Sequence, residues 1–154
     1  FVPISGVLQN LMSSESFCDH IEQDLSIGVR SPVLRNFSDG CLYKEKLQAL
    51  LEDGAQYTLF LVLYSDEVEI VNPLGSKRGI HKILVVYFSV LNIHAKYRSQ
   101  LSSIHVVVVA PYKLVIKHGI DVILKPVVDD VSALWMTGFT IWKNSVAVKV
   151  KAIL

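Results

Sequence analysis

Tyr57-Thr58-Leu59-Phe60-Leu61-Val62-Leu63-Tyr64 is the stretch that decides the fold. It is β-rich and almost continuously apolar, so both alternating faces of a strand built from it need cover. That is the pattern of a central strand in an α/β sheet. Polar groups enter at its far end, in Ser65-Asp66-Glu67, before Val68 to Val71 extends the strand. Asn72-Pro73-Leu74-Gly75-Ser76 then reads as a turn, because proline fixes φ and glycine permits positive φ. Lys77-Arg78-Gly79 prolongs that loop with positive charge, and Lys82 to Leu91 forms a second strand in a hairpin with the first.

On the C-terminal side, Ser102 to Ala110 is a third strand, with the β-branched run Val106 to Val109 ended by Pro111, which cannot donate to a ladder. Helical spacing follows in Tyr112 to Ile116 and again in Asp121 to Trp135, where Ile123, Leu124, Val127, Val128, Val131 and Leu134 mark a buried side. Pro126 is expected to kink or split this helix. Gly138 stops it, and Phe139 to Trp142 with Ser145 to Ile153 reads as another hairpin around Lys143-Asn144. On the N-terminal side, residues 1–54 read as a helical lead-in. Val7, Leu8, Leu11 and Met12 share one face, then Phe17, Ile21 and Leu25, and Lys44 to Leu51 closes with Asp53-Gly54. Ser31-Pro32 and Ser38-Asp39-Gly40 are turn clusters.

Composition narrows the class. The chain has 154 residues, 51% of them hydrophobic and 19% charged, which excludes a disordered segment. Mean hydropathy is +0.43, yet no apolar run reaches the roughly 18 residues of a membrane span. A net charge of +1 supplies no global attraction to nucleic acid or membrane. Cys18 and Cys41 lack metal-binding spacing and read as reduced thiols of a nuclear or cytoplasmic chain. The chain opens at Phe1 without a methionine or a signal-peptide pattern, and its last alternating stretch, Ser145 to Leu154, stops soon after it begins. Both ends read as cut, so residues 55–154 are expected to form an incomplete domain.

Two clusters invite a chemical reading. Asp66 stands where the apolar strand turns polar, a place from which a carboxylate on a rigid sheet holds divalent metal. The competing reading is that Asp66 and Glu67 mark where the strand emerges into water. Lys77, Arg78 and Lys82, with His81, cluster around one loop and fit either a phosphate contact or a solvated turn. Asp129 and Asp130 are adjacent on a helix, point about 100° apart and cannot work as one pair. His81, His94, His105 and His118 show no zinc spacing.

The segment Tyr64-Ser65-Asp66-Glu67-Val68-Glu69-Ile70-Val71-Asn72-Pro73-Leu74-Gly75-Ser76-Lys77-Arg78-Gly79-Ile80-His81-Lys82 carries a resemblance. It resembles transposase-like open reading frames of fish and invertebrate genomes, which are distantly similar to CACTA-type (En/Spm-like) DNA transposases. The shared pattern is an apolar strand, an acid, Asn-Pro-apolar-Gly, and a second strand ending near Asn, here Asn92. Lys96-Tyr97-Arg98-Ser99, Ser103-Ile104-His105, and Gly119 to Pro126 with Val128-Asp129-Asp130 resemble later blocks. Phe1-Val2-Pro3-Ile4 and Leu34 to Gly40 resemble the lead-in, so the likeness covers nearly the whole chain.

The resemblance implies an α/β, ribonuclease-H-like mixed sheet, truncated, behind an N-terminal helical segment. Such transposases use three carboxylates with Mg²⁺ or Mn²⁺ to cut and join DNA. Only the first has a match, at Asp66, a vestigial catalytic position and a weak metal candidate. The Asp-Asn-Leu-Gly-like segment expected to carry the second has no counterpart. One carboxylate does not clamp two metal ions, so no cofactor is expected unless the set is completed elsewhere. The expectation is a transposase-derived remnant without catalysis, binding DNA weakly and non-specifically through Lys77, Arg78 and Lys82, or binding protein. Two alternatives stand beside it: the first half of an active metal-dependent transposase, and a protein-interaction module that self-associates through an exposed sheet edge.

Overall fold

The computed structural model describes residues 1–26, 37–70 and 81–154. The turn expected at Asn72 to Ser76, the cations Lys77 and Arg78, and the Ser31-Pro32 turn lie outside the described residues. Among the described residues five strands form one mixed sheet: β1 (Tyr57–Glu69), β2 (Lys82–Val90), β3 (His105–Pro111), β4 (Phe139–Lys143) and β5 (Val146–Ile153). Their order across the sheet is β3-β2-β1-β5-β4. β1 pairs antiparallel with β2, as the hairpin reading requires, and β2 antiparallel with β3. β5 lies parallel to β1, and β4 antiparallel to β5. The expected α/β class with a mixed sheet is what the chain forms. The hairpin expected around Lys143-Asn144 is present too, with Asn144 and Ser145 both at positive φ, 50° and 63°. That pair of angles matches the twist of a two-residue hairpin.

The helices are α1 (Ile4–Met12), α2 (Glu15–Ser26), α3 (Cys41–Glu52), the short α4 (Ala95–Arg98), α5 (Tyr112–His118) and α6 (Ile120–Met136). α6 is not split at Pro126, which lies inside it. The break expected between Ile116 and Asp121 falls at Gly119, where φ 85° and ψ 152° are accessible to glycine alone and separate α5 from α6. Pro126 is tolerated because it stands on the exposed side of the helix with Val122, whose carbonyl loses its partner.

One core joins the helices to the sheet. Ile4, Leu8 and Met12 of α1 are buried with Leu59 and Leu61 of β1, Phe88 of β2, Val150 of β5 and Val131 of α6. On the opposite face, α3 closes a smaller cluster of Leu50, Ala55, Phe60 and Ile153, against which Phe37 and Tyr43 pack. Residues 1–54 therefore contribute to both sides of the sheet. Two polar fastenings hold this arrangement. The Asp130 carboxylate accepts from Ser5 N at 3.0 Å and so occupies the N-terminus of α1. Asn92, fully buried, accepts from Phe60 N at 2.7 Å and donates to the Thr58 carbonyl at 2.7 Å. Its amide thereby continues the β2 side of the ladder beyond Val90, where β2 itself has ended.

Candidate functional site

β5 pairs with β1 only from Tyr57 to Phe60, whereas β2 accompanies β1 from Leu61 to Glu69. The far half of β1 therefore runs in a three-stranded wing with β2 and β3. Strand periodicity sorts its side chains. Leu63, Ser65 and Glu67 share the face of the main core, and Tyr64, Asp66 and Val68 share the other. The second face is open. Across it, Tyr64 is opposite Tyr87, which is opposite Val106, and Asp66 is opposite Val85, which is opposite Val109. The Tyr64 and Tyr87 rings stack at 5.3 Å, and Tyr64, Val68, Val106 and Val109 are all exposed.

Asp66 is thus an exposed acid inside β1, which continues to Glu69, and its neighbours across the sheet are valines. Its Oδ1 accepts from Glu67 N at 2.8 Å. Glu67 points to the other face, where its Oε2 meets Lys82 Nζ at 3.2 Å. Hydrogen bonds from the Tyr112 hydroxyl and then from Lys82 hold the Glu67 carboxyl below its ordinary value. Lys82 also stands 5.7 Å from the Tyr112 ring. The cation assigned from sequence to a phosphate contact is therefore engaged within its own fold. The helical acids are occupied as well, Asp129 with Lys125 at 3.0 Å and Asp130 with the start of α1. Among the described residues no group of three or more His, Cys, Asp or Glu side chains is placed to hold a metal ion.

The structure brings together other residues that sequence reasoning missed. Beside the Tyr64–Tyr87 stack, a cleft of about 480 Å³ opens towards Arg98 and Ser99 of the α4 region. Arg98 Nε donates to the Ile93 carbonyl at 2.9 Å, and its guanidinium sits 5.5 Å from the Phe37 ring. Elsewhere, Tyr57 donates to the Glu22 carboxylate, and Lys143 Nζ reaches Glu22 at 2.6 Å and the Tyr57 oxygen at 2.9 Å. Those bonds hold Glu22 below and Lys143 above their ordinary values. A further ammonium, Lys151, is buried on the α3 face and bonded to Asp53 and to the Met136 carbonyl at 2.8 Å. Tyr64 and Tyr87 were findable from strand parity once the hairpin register was known. The Glu22–Tyr57–Lys143 group has no local signal, its members lying 35 to 121 positions apart.

Comparison with known proteins adds no relative: no family model, no curated protein and no solved structure matches the chain. Among the described residues no helix is long and apolar enough to cross a membrane.

Proposed function

We propose that the chain is a transposase-derived domain of the ribonuclease-H-like kind, without catalysis of its own, acting through weak binding of nucleic acid or of protein. The order of three antiparallel strands, then helices, then a hairpin whose second strand, β5, returns beside β1 supports the fold half of this reading. The observation that carries the functional half is the setting of Asp66. Two-metal strand transfer needs several carboxylates converging on ions about 4 Å apart. Asp66 instead faces outward among Tyr64, Val68, Val85 and Val109, with Glu67 turned to the opposite face.

The test is nicking of supercoiled plasmid with Mg²⁺ or Mn²⁺, comparing the parent protein with Asp66→Asn. Both should leave the plasmid intact. Metal-dependent nicking that the substitution abolishes would overturn the reading. DNA affinity should fall with salt at a log–log slope of roughly −3, as three phosphate contacts by Lys77, Arg78 and Lys82 imply. Tight binding that persists after alanine replaces Lys77 and Arg78 would remove this loop as the contact.

The second reading, a protein-interaction module, is favoured by the exposed Tyr64, Val68, Val106 and Val109 of the open face. Self-association through a sheet edge has two candidates among the described residues, β4 and the side of β1 beyond Phe60 that β5 does not pair. The β3 edge is met by Val2, whose N–H donates to the Val107 carbonyl at 2.7 Å. β4 forms the opposite edge and carries an exposed Trp142. Concentration-dependent association without DNA affinity supports this reading, and a strictly monomeric protein that binds DNA refutes it.

A further inference from the structure

Where α2, the end of β2 and the α4 region meet, the chain lines a half-open cavity of about 180 Å³, away from Asp66 and from the open face. Leu11, Phe17, Val90 and Ile93 give it an apolar wall, and Gln100, Ser103 and His105 add polar groups. Tyr97 and His20 form an aromatic corner, ring centres 5.0 Å apart and tilted by 56°. Ser102 lies at the exposed rim. Among the described residues no lining side chain carries a carboxylate, an ammonium or a guanidinium.

His105 is the polar group that matters. Its ring centre lies 5.1 Å from that of Phe88, and burial alone lowers its pKa, with no charge or hydrogen bond acting on it. The imidazole is therefore neutral at pH 7 and offers one N–H donor and one bare nitrogen acceptor. A dry cavity of roughly 150 Å³ suffices for benzene. The space here admits such a ring and one small substituent. A charged substituent would lose part of its water with no opposite charge among the described lining residues to meet it.

We propose that this cavity is a binding site for a neutral monocyclic aromatic molecule bearing one hydroxyl or amino group, with the ring against Phe17, Val90 and Ile93 and the polar group on His105. Phenol is the probe, with toluene and benzoate as comparisons, titrated at pH 8 into the full chain and followed by ¹H–¹³C NMR of the lining side chains. Phenol should bind with Kd on the order of 1 mM, as a ligand of seven heavy atoms permits. Toluene should bind more weakly, and benzoate at least tenfold more weakly than phenol. Ser102→Trp plugs the mouth from an exposed position and should abolish the phenol shifts while the rest of the spectrum is kept. His105→Leu should erase the preference for phenol over toluene while toluene still binds, which separates a lost contact from a lost fold. No saturable shift of the lining residues with phenol, benzoate equal to phenol, or phenol binding unchanged in Ser102→Trp would each overturn the proposal.

Discussion

Replacing Asn92 by alanine should cost more than almost any other single polar substitution in this chain. The Asn92 side chain is fully buried, and both ends of its amide are spent on β1, at Phe60 N and at the Thr58 carbonyl, each at 2.7 Å. Alanine removes the partner but leaves both backbone groups where they are. A buried polar group left unmet costs about 1–3 kcal/mol, so two of them cost about 2–6 kcal/mol. Domain stability is typically about 5–15 kcal/mol, so a loss near the middle of that range removes a large share of it. With an m-value of about 2 kcal/mol/M, the urea midpoint should drop by about 1–3 M. Asn92→Asp is the sharper variant, since it keeps the shape and the acceptor for Phe60 N but turns the donor into a second acceptor facing the Thr58 carbonyl. Protonating that carboxyl restores a donor, so Asn92→Asp should lose least relative to the parent in mild acid and most at neutral pH. Equilibrium unfolding followed by circular dichroism measures both variants, and hydrogen exchange at the Phe60 amide reports the bond directly. An alanine variant within about 0.5 kcal/mol of the parent, or an unchanged Phe60 exchange rate, would refute the reasoning.

Asp130→Ala removes the carboxylate at the start of α1 and should cost about 1 kcal/mol, whereas Asp129→Ala, which loses only an exposed pair with Lys125, should cost under about 0.5 kcal/mol; thermal denaturation separates them. Gly138→Ala should destabilise by about 3 kcal/mol, because an added Cβ would collide with the Val150 carbonyl at a φ of +69°. Gly54→Ala, at φ +79° but in open space, should cost only about 1 kcal/mol by the same measurement. Glu22 is held below its ordinary value of 4.5 in the folded chain, first by Lys143 and then by Tyr57, so its contribution is complete above pH 4.5 and fades as pH falls through the folded value. A melting-temperature profile should therefore drop more steeply below pH 4.5 in the parent than in Glu22→Gln, and parallel profiles would count against that clamp.

Much of the secondary structure was legible because local chemistry and tertiary demand agree. Tyr57 to Tyr64 and Val106 to Val109 are β-rich in sequence and stranded in the fold, and the Asn144 turn closes the hairpin expected there. Two local signals compete in the helices: the break between Ile116 and Asp121 was readable and falls at Gly119, whereas Pro126, also a helix breaker, lies inside α6 on its wet side without splitting it. Val146 to Lys151 alternates as a strand wet on one face, yet Lys151 is buried, because Asp53 and the Met136 carbonyl meet its ammonium. No local pattern announces such a partner from so far along the chain. The candidate site divides in the same way. That Asp66 sits on a strand was readable, but the face it occupies depends on the register with β2, and the pairing of Lys82 with Glu67 depends on it too.

The place of β5 in the sheet bears on how this fold is reached. β1, β2 and β3 follow one another both in sequence and across the sheet, with 12 residues between Glu69 and Lys82 and 14 between Val90 and His105. The other flank of β1 is different, since Gln56 meets Lys149 across 93 positions. Closing so long a loop is entropically uphill until the strand docks, which slows the step relative to hairpin formation. Until then the chain carries β1 with one side bare, four residues of it from Tyr57 to Phe60 awaiting partners. A bare, apolar strand side is a template for intermolecular pairing. Refolding yield should therefore decline with protein concentration, with losses accumulating in the interval before residues 146–153 find β1.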